Sequence, residues 1–285
     1  QFAFDSKPIF EWANRIHAAG INFPDVLTVQ GKYQFKPSLP FTPGIEVSGV
    51  IKKVGKDVKM RKVGDEVIST LQTGAFASEV VTSENSTFLK GNMSFEQAAG
   101  FALTYGTSYY ALKQRARLVA GETVLVLGAA GGVGVATIQL AKAMGANVIA
   151  AASNDTKLDF AEEAGADLRI NYTNENLKER VKELTNGQGA DVIYDPVGGD
   201  FSEQAFRAIA WNGRFLVIGF ASGPIAKMPL NLALLKGASL VGVFWGSWSA
   251  REPNESQNNF SELIKMVDDK KFTPLVTEIF KLEDH

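Results

Sequence analysis

Residues 123–152 constrain the fold of this chain more than any other stretch. They read TVLVLGAAGGVGVATIQLAKAMGANVIAAA. The apolar run 123–127 has the length and composition of a strand buried on both faces, and it ends at Gly128. A helical pattern follows a cluster of glycines, and a second apolar run, 147–151, follows the helix. The segment therefore predicts a strand–turn–helix–strand unit with its two strands parallel.

The turn of this unit contains a glycine cluster that suits a dinucleotide. It fits the G-x-G-x-x-G frame only if Ala129 replaces the first glycine, so the strict fingerprint is absent. Gly131 would let the backbone approach a pyrophosphate, and Gly134 would let the helix pack tightly on the strand. Free N–H groups at the positive helix end would face the phosphates. An ordinary turn is the alternative, but the flanking strand and helix favour a cofactor site at Gly131, Gly132, Val133 and Gly134.

The composition excludes several classes of function. The chain has 285 residues, of which 45% are hydrophobic and 21% charged, so it can bury a large core in two domains. Its formal charge of -2 predicts no general attraction to nucleic acid or anionic lipid. The absence of cysteine excludes disulfides, a thiolate nucleophile and thiolate metal ligands. With only His17 and His285 as imidazoles, a zinc site built on histidine is nearly excluded.

The sequence carries no signal for a membrane or for secretion. No uninterrupted apolar run approaches the length of a membrane span, and the opening QFAFDSKPIFEWANR lacks the charged head and cleavage pattern of a signal peptide. We therefore expect a soluble protein inside the cell, in the cytoplasm or, after import, in a mitochondrion.

The chain changes character near residue 94. Before that point it is rich in short expected strands, at 45–51, 66–70 and 77–81, which indicate an antiparallel, barrel-like domain. Ser94-Phe95-Glu96-Gln97 is a capping-box pattern that begins a helix. Helices then alternate with strands expected at 124–127, 147–151, 168–170, 191–194, 214–218 and 239–244. This alternation predicts an α/β fold with a doubly wound parallel sheet.

The last forty residues read differently. Residues 251–257 are polar and interrupted by proline, which predicts a surface loop. A helix is expected at 260–269, and a strand-like piece near Val276. The apolar stretch 239–245 would lie at an edge of the parallel sheet, where it could pair with its copy in a second subunit, so we expect a homodimer.

A second glycine pattern points to another class of reductase. Gly128, Gly132 and Gly134 fit the G-x-x-x-G-x-G of short-chain dehydrogenases, and Tyr109 and Lys113 supply a Tyr-x-x-x-Lys pair. In that family the glycine motif opens the chain and the Tyr/Lys pair follows it. The order is reversed here, so we interpret Tyr109 and Lys113 as helix residues.

Short motifs are spread over most of the chain. They are AGINFPD (19–25), PFTPGIE (40–46), VGD (63–65), LTYGT (103–107), the glycine turn, DPVGG (195–199) and GVFWG (242–246). Together they resemble the medium-chain dehydrogenase/reductase superfamily, and within it the zinc-free quinone oxidoreductase branch related to zeta-crystallin. The resemblance implies a GroES-like catalytic domain at 1–93, a Rossmann nucleotide-binding domain at 94–246 and a return to the catalytic domain at 247–285. The family has further final strands, so this return is expected to be truncated.

The resemblance implies an NADPH:quinone oxidoreductase that works without a metal ion. Zinc-dependent relatives use a cysteine in the stretch corresponding to 20–25, and this chain has none. Without a Lewis acid, alcohol oxidation is disfavoured, whereas a quinone or conjugated carbonyl itself delocalises the charge of an arriving hydride. Two alternatives stay open: a 2-alkenal or enoyl reductase on the same scaffold, and a zeta-crystallin-like NADPH-binding protein with a structural or RNA-binding role.

The end of the second strand indicates which dinucleotide binds. An NAD enzyme needs a carboxylate at this strand tip, and Ser153 occupies it instead. Ser153 can donate a hydrogen bond to a 2′-phosphate and Lys157 can offer positive charge, which predicts NADPH. The nearby Asp155 argues against it. By resemblance Tyr172 joins this site; the alternative is that Lys157 is a surface residue and Tyr172 a packing residue.

The resemblance also places residues around the nicotinamide, in a cleft between the domains. The implied catalytic residues are Asn22, Asp25 and Tyr33. Asn22 and Tyr33 can donate hydrogen bonds to the acceptor oxygens as charge develops, whereas Asp25 is as well suited to capping a turn. The remaining implied residues, beyond the glycine turn and the phosphate site, are Phe23, Thr104, Gly219, Phe220, Phe244 and Trp245. Phe244 and Trp245, on the last strand, are equally suited to the core or a subunit interface, and His17 is expected to be structural.

Overall fold

The computed structural model describes residues 11–284, with side chains from Arg15 onward. Residues 1–10, which contribute to the targeting expectation and to the first expected domain, and His285 lie outside the described residues. The chain forms two compact units. The first holds the described chain up to Leu103 and again from Ser249, and the second is Thr104–Trp248. No helix in the described part of the chain is both long enough and apolar enough to cross a membrane.

The elements alternate along the chain as follows. The strands of residues 11–284 are β1 (Glu11–Ala19), β2 (Glu46–Val54), β3 (Glu66–Thr70), β4 (Glu79–Ser83), β5 (Thr87–Leu89), β6 (Thr123–Leu127), β7 (Asn147–Ala152), β8 (Leu168–Asn171), β9 (Ala190–Asp195), β10 (Ile209–Val217) and β11 (Ser239–Gly242). The α-helices are α1 (Phe23–Val29), α2 (Phe95–Ala99), α3 (Ala102–Tyr110), α4 (Gly132–Ala143), α5 (Asp155–Glu163), α6 (Leu177–Leu184), α7 (Asp200–Arg207), α8 (Leu230–Lys236), α9 (Trp245–Arg251) and α10 (Pro253–Asp268). Short helices of other types cover Glu84–Ser86, Ala111–Ala116 and Leu282–Asp284.

The first unit is built on a five-stranded antiparallel sheet in the order β4-β1-β2-β3-β5. Its interior includes Val47 and Ile51 of β2 and Val67 and Ile68 of β3, all at most 1% exposed. This confirms the antiparallel domain that the short apolar runs predicted. Helix α1 lies between β1 and β2 along the chain, and it carries the first candidate site residues.

The capping box at Ser94 is confirmed, although the helix it begins lies in the first unit. Ser94 Oγ accepts from the N–H of Gln97 at 3.2 Å, and Gln97 Oε1 accepts from the N–H of Ser94 at 3.0 Å. Helix α2 packs on β1 and β2, where the Phe95 ring stacks on His17 at 4.2 Å. A capping signal marks the start of a helix and carries no information about the sheet that the helix covers. His17 thus has the packing role expected of it.

The second unit is built on a six-stranded parallel sheet in the order β8-β7-β6-β9-β10-β11. This is the doubly wound Rossmann order, so the predicted fold class is confirmed. Leu125 and Leu127 of β6 lie in a cluster with Val181 of α6 and Phe206 of α7. The alternate residues of β6 point to the other face and are also fully buried. Burial on both faces explains the uninterrupted apolar run.

Tyr109 and Lys113 lie in consecutive helical turns, as interpreted from their order in the chain. Tyr109 is 5% exposed, and the Lys113 ammonium lies 5.2 Å from the centre of its ring. The pair therefore packs within one helical segment by a cation–π contact.

Two predictions for the last forty residues were wrong. Residues 251–257 form the end of α9 and the start of α10, because Pro253 occupies the first helical turn of α10, where its missing N–H and fixed φ are favourable. The strand-like piece near Val276 lies in residues 272–281, to which the structure assigns neither helix nor strand. Apolar character alone does not make a strand where no partner strand supplies the hydrogen bonds.

Candidate functional site

The glycine turn joins β6 to α4. Gly128 has φ +58°, a conformation that favours glycine. The position at which the turn requires a glycine is therefore 128, one residue before the fully buried Ala129. A Cβ added at Gly134 would lie 2.5 Å from the carbonyl oxygen of Gly128 and 2.8 Å from that of Ala129. Gly131 is the N-cap of α4 and, being a glycine, has no side chain with which to cap this helix end. The turn therefore needs its glycines and presents backbone N–H groups that suit an anion.

The first turn of α4 is tied to α3 by polar groups. The carbonyl of Val133 accepts from Ser108 Oγ at 3.2 Å and from Thr137 Oγ1 at 2.7 Å, and both side chains are fully buried. A Cβ added at Gly132 would lie 3.1 Å from the Thr104 methyl carbon. Thr104 thus lies against the glycine turn, and its contact with a nicotinamide stays a prediction.

Three loops meet at the carboxyl ends of the parallel strands. A Cβ added at Gly128 would lie 2.9 Å from Val197 Cγ2, in the loop after β9. A Cβ added at Gly219, in the loop after β10, would lie 3.3 Å from the carbonyl oxygen of Pro196. The chain winds away from β6 in both directions, towards β7 and towards β9, and ligands of such sheets bind at this switch point.

Asp195 shapes the loop after β9, a role that sequence reasoning missed. This carboxylate is 3% exposed, and its Oδ1 accepts from the N–H groups of Val197 at 2.8 Å and Gly198 at 2.9 Å. Ser202 Oγ donates to Oδ2. The signal in the sequence was an aspartate at the end of an apolar strand, directly before Pro-Val-Gly-Gly.

Ser153, Lys157 and Tyr172 lie together beyond the end of β7. Lys157 Nζ donates to Ser153 Oγ at 3.1 Å. Tyr172 directly follows β8 and contacts Ser153: burial raises the pKa of its phenol, and a hydrogen bond with Ser153 opposes that rise. The carboxylate of Asp155 is engaged with the neighbouring strand, because its Oδ1 accepts from Asn171 Nδ2 at 3.2 Å. Asp155, whose negative charge would disfavour a 2′-phosphate at this place, therefore has a structural partner in Asn171.

The late-strand residues divide into two groups. Gly219 and Phe220 follow β10, and Phe220 is 42% exposed. Phe244 and Trp245 do not lie on the last strand, and this prediction was wrong: β11 ends at Gly242, which pairs with the last residue of β10, so the ladder has no partner beyond it. Phe244 is 57% exposed, and Trp245 begins α9 and is buried.

Asn22, Asp25 and Tyr33 come together in the first unit, around α1. The N–H of Asn22 donates to Asp25 Oδ2 at 2.8 Å, so Asp25 caps the first turn of α1. Burial raises the pKa of Asp25, and its hydrogen bond with Asn22 partly opposes this. Burial also raises the pKa of Tyr33, and the charge of Asp25 adds to that rise. The structure thus favours the capping role of Asp25, and Tyr33 keeps its proton at neutral pH.

A fourth polar residue, Glu46, completes this cluster and was given no role from sequence. Glu46 opens β2 and is fully buried, and its Oε1 accepts from Asn22 Nδ2 at 2.7 Å. Its Oε2 accepts from the N–H of Leu103 at 2.9 Å. Burial raises the pKa of Glu46 to about 7, although its hydrogen bonds with Asn22 and with the backbone of Leu103 and Ala102 act to lower it. A charged residue at the head of a buried strand was the available signal.

The stability of the protein should depend on pH through Glu46. Between about pH 4.5 and pH 7 the folded state holds a proton that the unfolded state has released, so this stabilising contribution is complete below that window and is lost as the pH rises through it. The shift from 4.5 to about 7 corresponds to about 3 kcal/mol. We expect the free energy of unfolding of the wild type, relative to Glu46→Gln, to fall by that order across the window, as measured by urea denaturation. Parallel curves for the two proteins would contradict the assignment.

No group of three His, Asp or Glu side chains in the part of the chain that the structure describes lies close enough together to hold a metal ion. In the polar clusters of the two units, Asn22 donates to Glu46, the N–H of Val197 donates to Asp195, and Lys157 donates to Ser153.

Comparison with known proteins places the chain in a family. The model for the alcohol dehydrogenase GroES-like domain matches residues 13–126, and the model for zinc-binding dehydrogenases matches residues 132–269. A quinone oxidoreductase-like protein 2 homolog of Nematostella vectensis is 43% identical over 272 residues, which cover 94% of this chain and 74% of that protein. The chain belongs to the quinone oxidoreductases of the medium-chain dehydrogenase/reductase superfamily. Its two sheets are the GroES-like and Rossmann parts of that superfamily.

Solved structures of this superfamily extend the comparison. The Escherichia coli quinone oxidoreductase solved in complex with NADPH is 31% identical, with a TM-score of 0.84 over 97% of this chain and 86% of that one. The CurK enoyl reductase is 29% identical, with a TM-score of 0.86 over 98% of this chain and 86% of that one. The solved structures that resemble this chain thus include both a quinone oxidoreductase and an enoyl reductase.

Proposed function

We propose that this chain is an NADPH-dependent quinone oxidoreductase that reduces quinones or conjugated carbonyls without a metal ion. The observation that carries the proposal is that Ser153, Lys157 and Tyr172 lie together at the carboxyl edge of the parallel sheet, the edge at which the glycine turn also lies. Lys157 donates to Ser153 at 3.1 Å, and Ser153 hydrogen-bonds with Tyr172. A hydroxyl, an ammonium and a phenol in one place suit a 2′-phosphate. Relatives named quinone oxidoreductases, one of them solved with NADPH, support it.

The second unit has groups suited to NADPH. Gly131, Gly132, Val133 and Gly134 would hold the pyrophosphate through their backbone N–H groups, which lie at the N-terminus of α4. The remaining cofactor contacts in the proposal are Thr104, Gly219, Phe220 and Phe244. NADPH, when bound, supplies the hydride.

The first unit has groups suited to the acceptor. Asn22 and Tyr33 would donate hydrogen bonds to its oxygens, and Tyr33 stays a donor at neutral pH because burial and Asp25 raise the pKa of its phenol. Asp25, buried and used on the N–H of Asn22, acts by positioning that residue. Most of the rate would come from holding the reactants together, since no strong acid is required.

The test is NADPH consumption with a panel of 1,2-quinones, 1,4-quinones and enals, alongside calorimetric titration with NADPH and NADH. The proposal expects NADPH to bind more tightly than NADH and quinones to be reduced faster than enals. The likeness to the CurK enoyl reductase favours one second candidate, an enoyl or 2-alkenal reductase, and faster reduction of enals would select it. Absence of binding to either nucleotide would overturn both candidates.

We also propose that the protein is a homodimer formed at the edge of the parallel sheet. Strand β11 is an edge strand of the parallel sheet, and Leu230, Leu234 and Leu235 of α8, which precedes β11 in the chain and packs on β10, are 71%, 81% and 66% exposed. An edge strand and exposed leucines in the same unit suit a second copy of the chain. We expect light scattering to give the mass of a dimer, and Leu234→Glu to give the mass of a monomer with an unchanged circular dichroism spectrum. Val119→Glu, at a 61% exposed site elsewhere in this unit, is the control. A monomeric wild type would refute the proposal.

A further inference from the structure

The buried carboxyl of Glu46 has no role in the proposed reaction, yet its place in the fold is specific. Both of its oxygens accept hydrogen bonds, Oε1 from Asn22 Nδ2 at 2.7 Å and Oε2 from the N–H of Leu103 at 2.9 Å. A Cβ added at Gly20 would lie 2.5 Å from Oε1 and 2.4 Å from the carbonyl oxygen of Ala99. A side chain at position 20 would therefore collide with the Glu46 carboxyl, and glycine at that position leaves room for it.

The partners of Glu46 restrict how the amide of Asn22 is oriented. An ionised carboxylate only accepts hydrogen bonds, so Asn22 must present its NH₂ group and turn its carbonyl away. When Glu46 binds a proton, Oε2 is still occupied by the N–H of Leu103, so the proton is placed on Oε1. Two donors would then face each other, and the amide of Asn22 must turn to present its carbonyl oxygen.

We propose that Glu46 is a positioning residue, whose ionisation decides whether the Asn22 amide offers an N–H or its carbonyl oxygen to the acceptor. The inference rests on the proposed function, in which Asn22 contacts the acceptor. The carboxylate form gives the orientation of the structure, in which one N–H of the Asn22 NH₂ group is donated to Glu46 and the second is left for an acceptor oxygen, and this is the working form. The protonated form reverses the amide and misplaces the group that contacts the acceptor.

The surroundings of Glu46 make this ionisation accessible near neutral pH. Burial raises the pKa of Glu46 to about 7, and the negative charge of Asp25 contributes to the rise. The described ionisable side chains on the elements packed against β2 are Asp25 on α1, Arg15 and His17 on β1, Glu66 on β3 and Glu96 on α2. Of these, Asp25 lies in the same buried cluster and is bridged to Glu46 by Asn22.

Glu46→Gln tests the inference sharply, because glutamine imitates the protonated form. The N–H of Leu103 requires an acceptor, so the oxygen of the introduced amide faces it and the nitrogen of that amide faces Asn22. We expect the wild-type kcat/KM for a 1,4-quinone to fall about 10-fold or more as the pH drops from roughly 8.5 to roughly 5.5. The Glu46→Gln enzyme should show the low acid value throughout that range, with its calorimetric affinity for NADPH unchanged.

The matched control is Glu84→Gln, in the same unit. Glu84 is also a buried glutamate, and it accepts from the N–H groups of Lys59 and Met60 through Oε1. This variant should keep the acid limb of the wild type. An acid limb that persists in Glu46→Gln, or a wild-type profile that is flat over the range, would overturn the inference.

A second readout does not depend on turnover. The side-chain NH₂ signals of Asn22, assigned by their loss in Asn22→Ala, should shift with pH in the wild type and stay constant in Glu46→Gln. If the wild type reduced no acceptor, the proposed function would fail while these signals still tested the coupling. If the enzyme were active and the signals did not move, the inference alone would fail. Should Glu46→Gln not fold, Asn22→Ala takes its place, and its acid limb must be absent.

Discussion

We expect the substitution Gly134→Ala to abolish tight binding of the nucleotide. The added Cβ would lie 2.5 Å and 2.8 Å from two carbonyl oxygens of the turn, which are backbone atoms and cannot move aside as a flexible side chain would. The start of α4 must then shift away from β6, and the N–H groups of this helix end move with it. Hydrogen bonds to charged groups are worth about 1.5 to 3 kcal/mol each, so losing two of them weakens NADPH binding by about 100-fold or more.

Calorimetric titration with NADPH measures this effect. Gly100→Ala is the control, because a Cβ added there would meet no atom within 4 Å and the residue has an ordinary φ of -96°. The thermal midpoint should also fall for Gly134→Ala, because over-packing against the backbone costs about 1 to 3 kcal/mol. Wild-type affinity in a folded Gly134→Ala protein would show that the glycine turn does not hold the cofactor.

Lys157→Ala should lose NADPH selectively. Its ammonium, held beside Ser153, would contact the 2′-phosphate that distinguishes NADPH from NADH. Loss of one charge-assisted hydrogen bond of about 1.5 to 3 kcal/mol predicts that kcat/KM for NADPH falls about 10- to 100-fold. The value for NADH should change little, because NADH has no group at that position.

Steady-state kinetics with both nucleotides and one quinone checks this prediction. Lys178→Ala is the matched control, since Lys178 is another lysine in the first turn of a helix of the second unit, and it is paired with Glu179 at 2.8 Å. It should leave both nucleotides unaffected. Equal losses with NADPH and NADH in Lys157→Ala would remove the phosphate role and leave only a structural one.

Local signals carried the correct predictions about the fold. The strand 123–127 and the turn from Gly128 were readable because a strand buried on both faces must be continuously apolar and because a tight turn needs glycine. The capping box at Ser94 was readable for the same reason, since its hydrogen bonds join residues three apart. Ser153 and Lys157, four apart at a helix start, could also be brought together from sequence alone.

Two of the wrong predictions, the strand near Val276 and the strand beyond Gly242, concern residues whose structure depends on a distant partner. The apolar stretch after Gly242 was predicted to continue as a strand, but β10 ends at Val217 and supplies no further pairing.

Tyr172 was assigned by family resemblance, and its place beside Ser153 follows from the pairing of β7 with β8, which sets Asn171 opposite Ala152.

By itself the sequence determined the strands of the two sheets, the glycine turn between β6 and α4 and the contact of Lys157 with Ser153, because these depend on neighbours within a few residues. Only the tertiary structure decided that Glu46 holds the amide of Asn22. Glu46 lies 24 residues from Asn22 and 57 residues from Leu103 along the chain. No local pattern encodes such contacts, since they exist only after β2, α1 and the start of α3 have packed and excluded water from the carboxyl group.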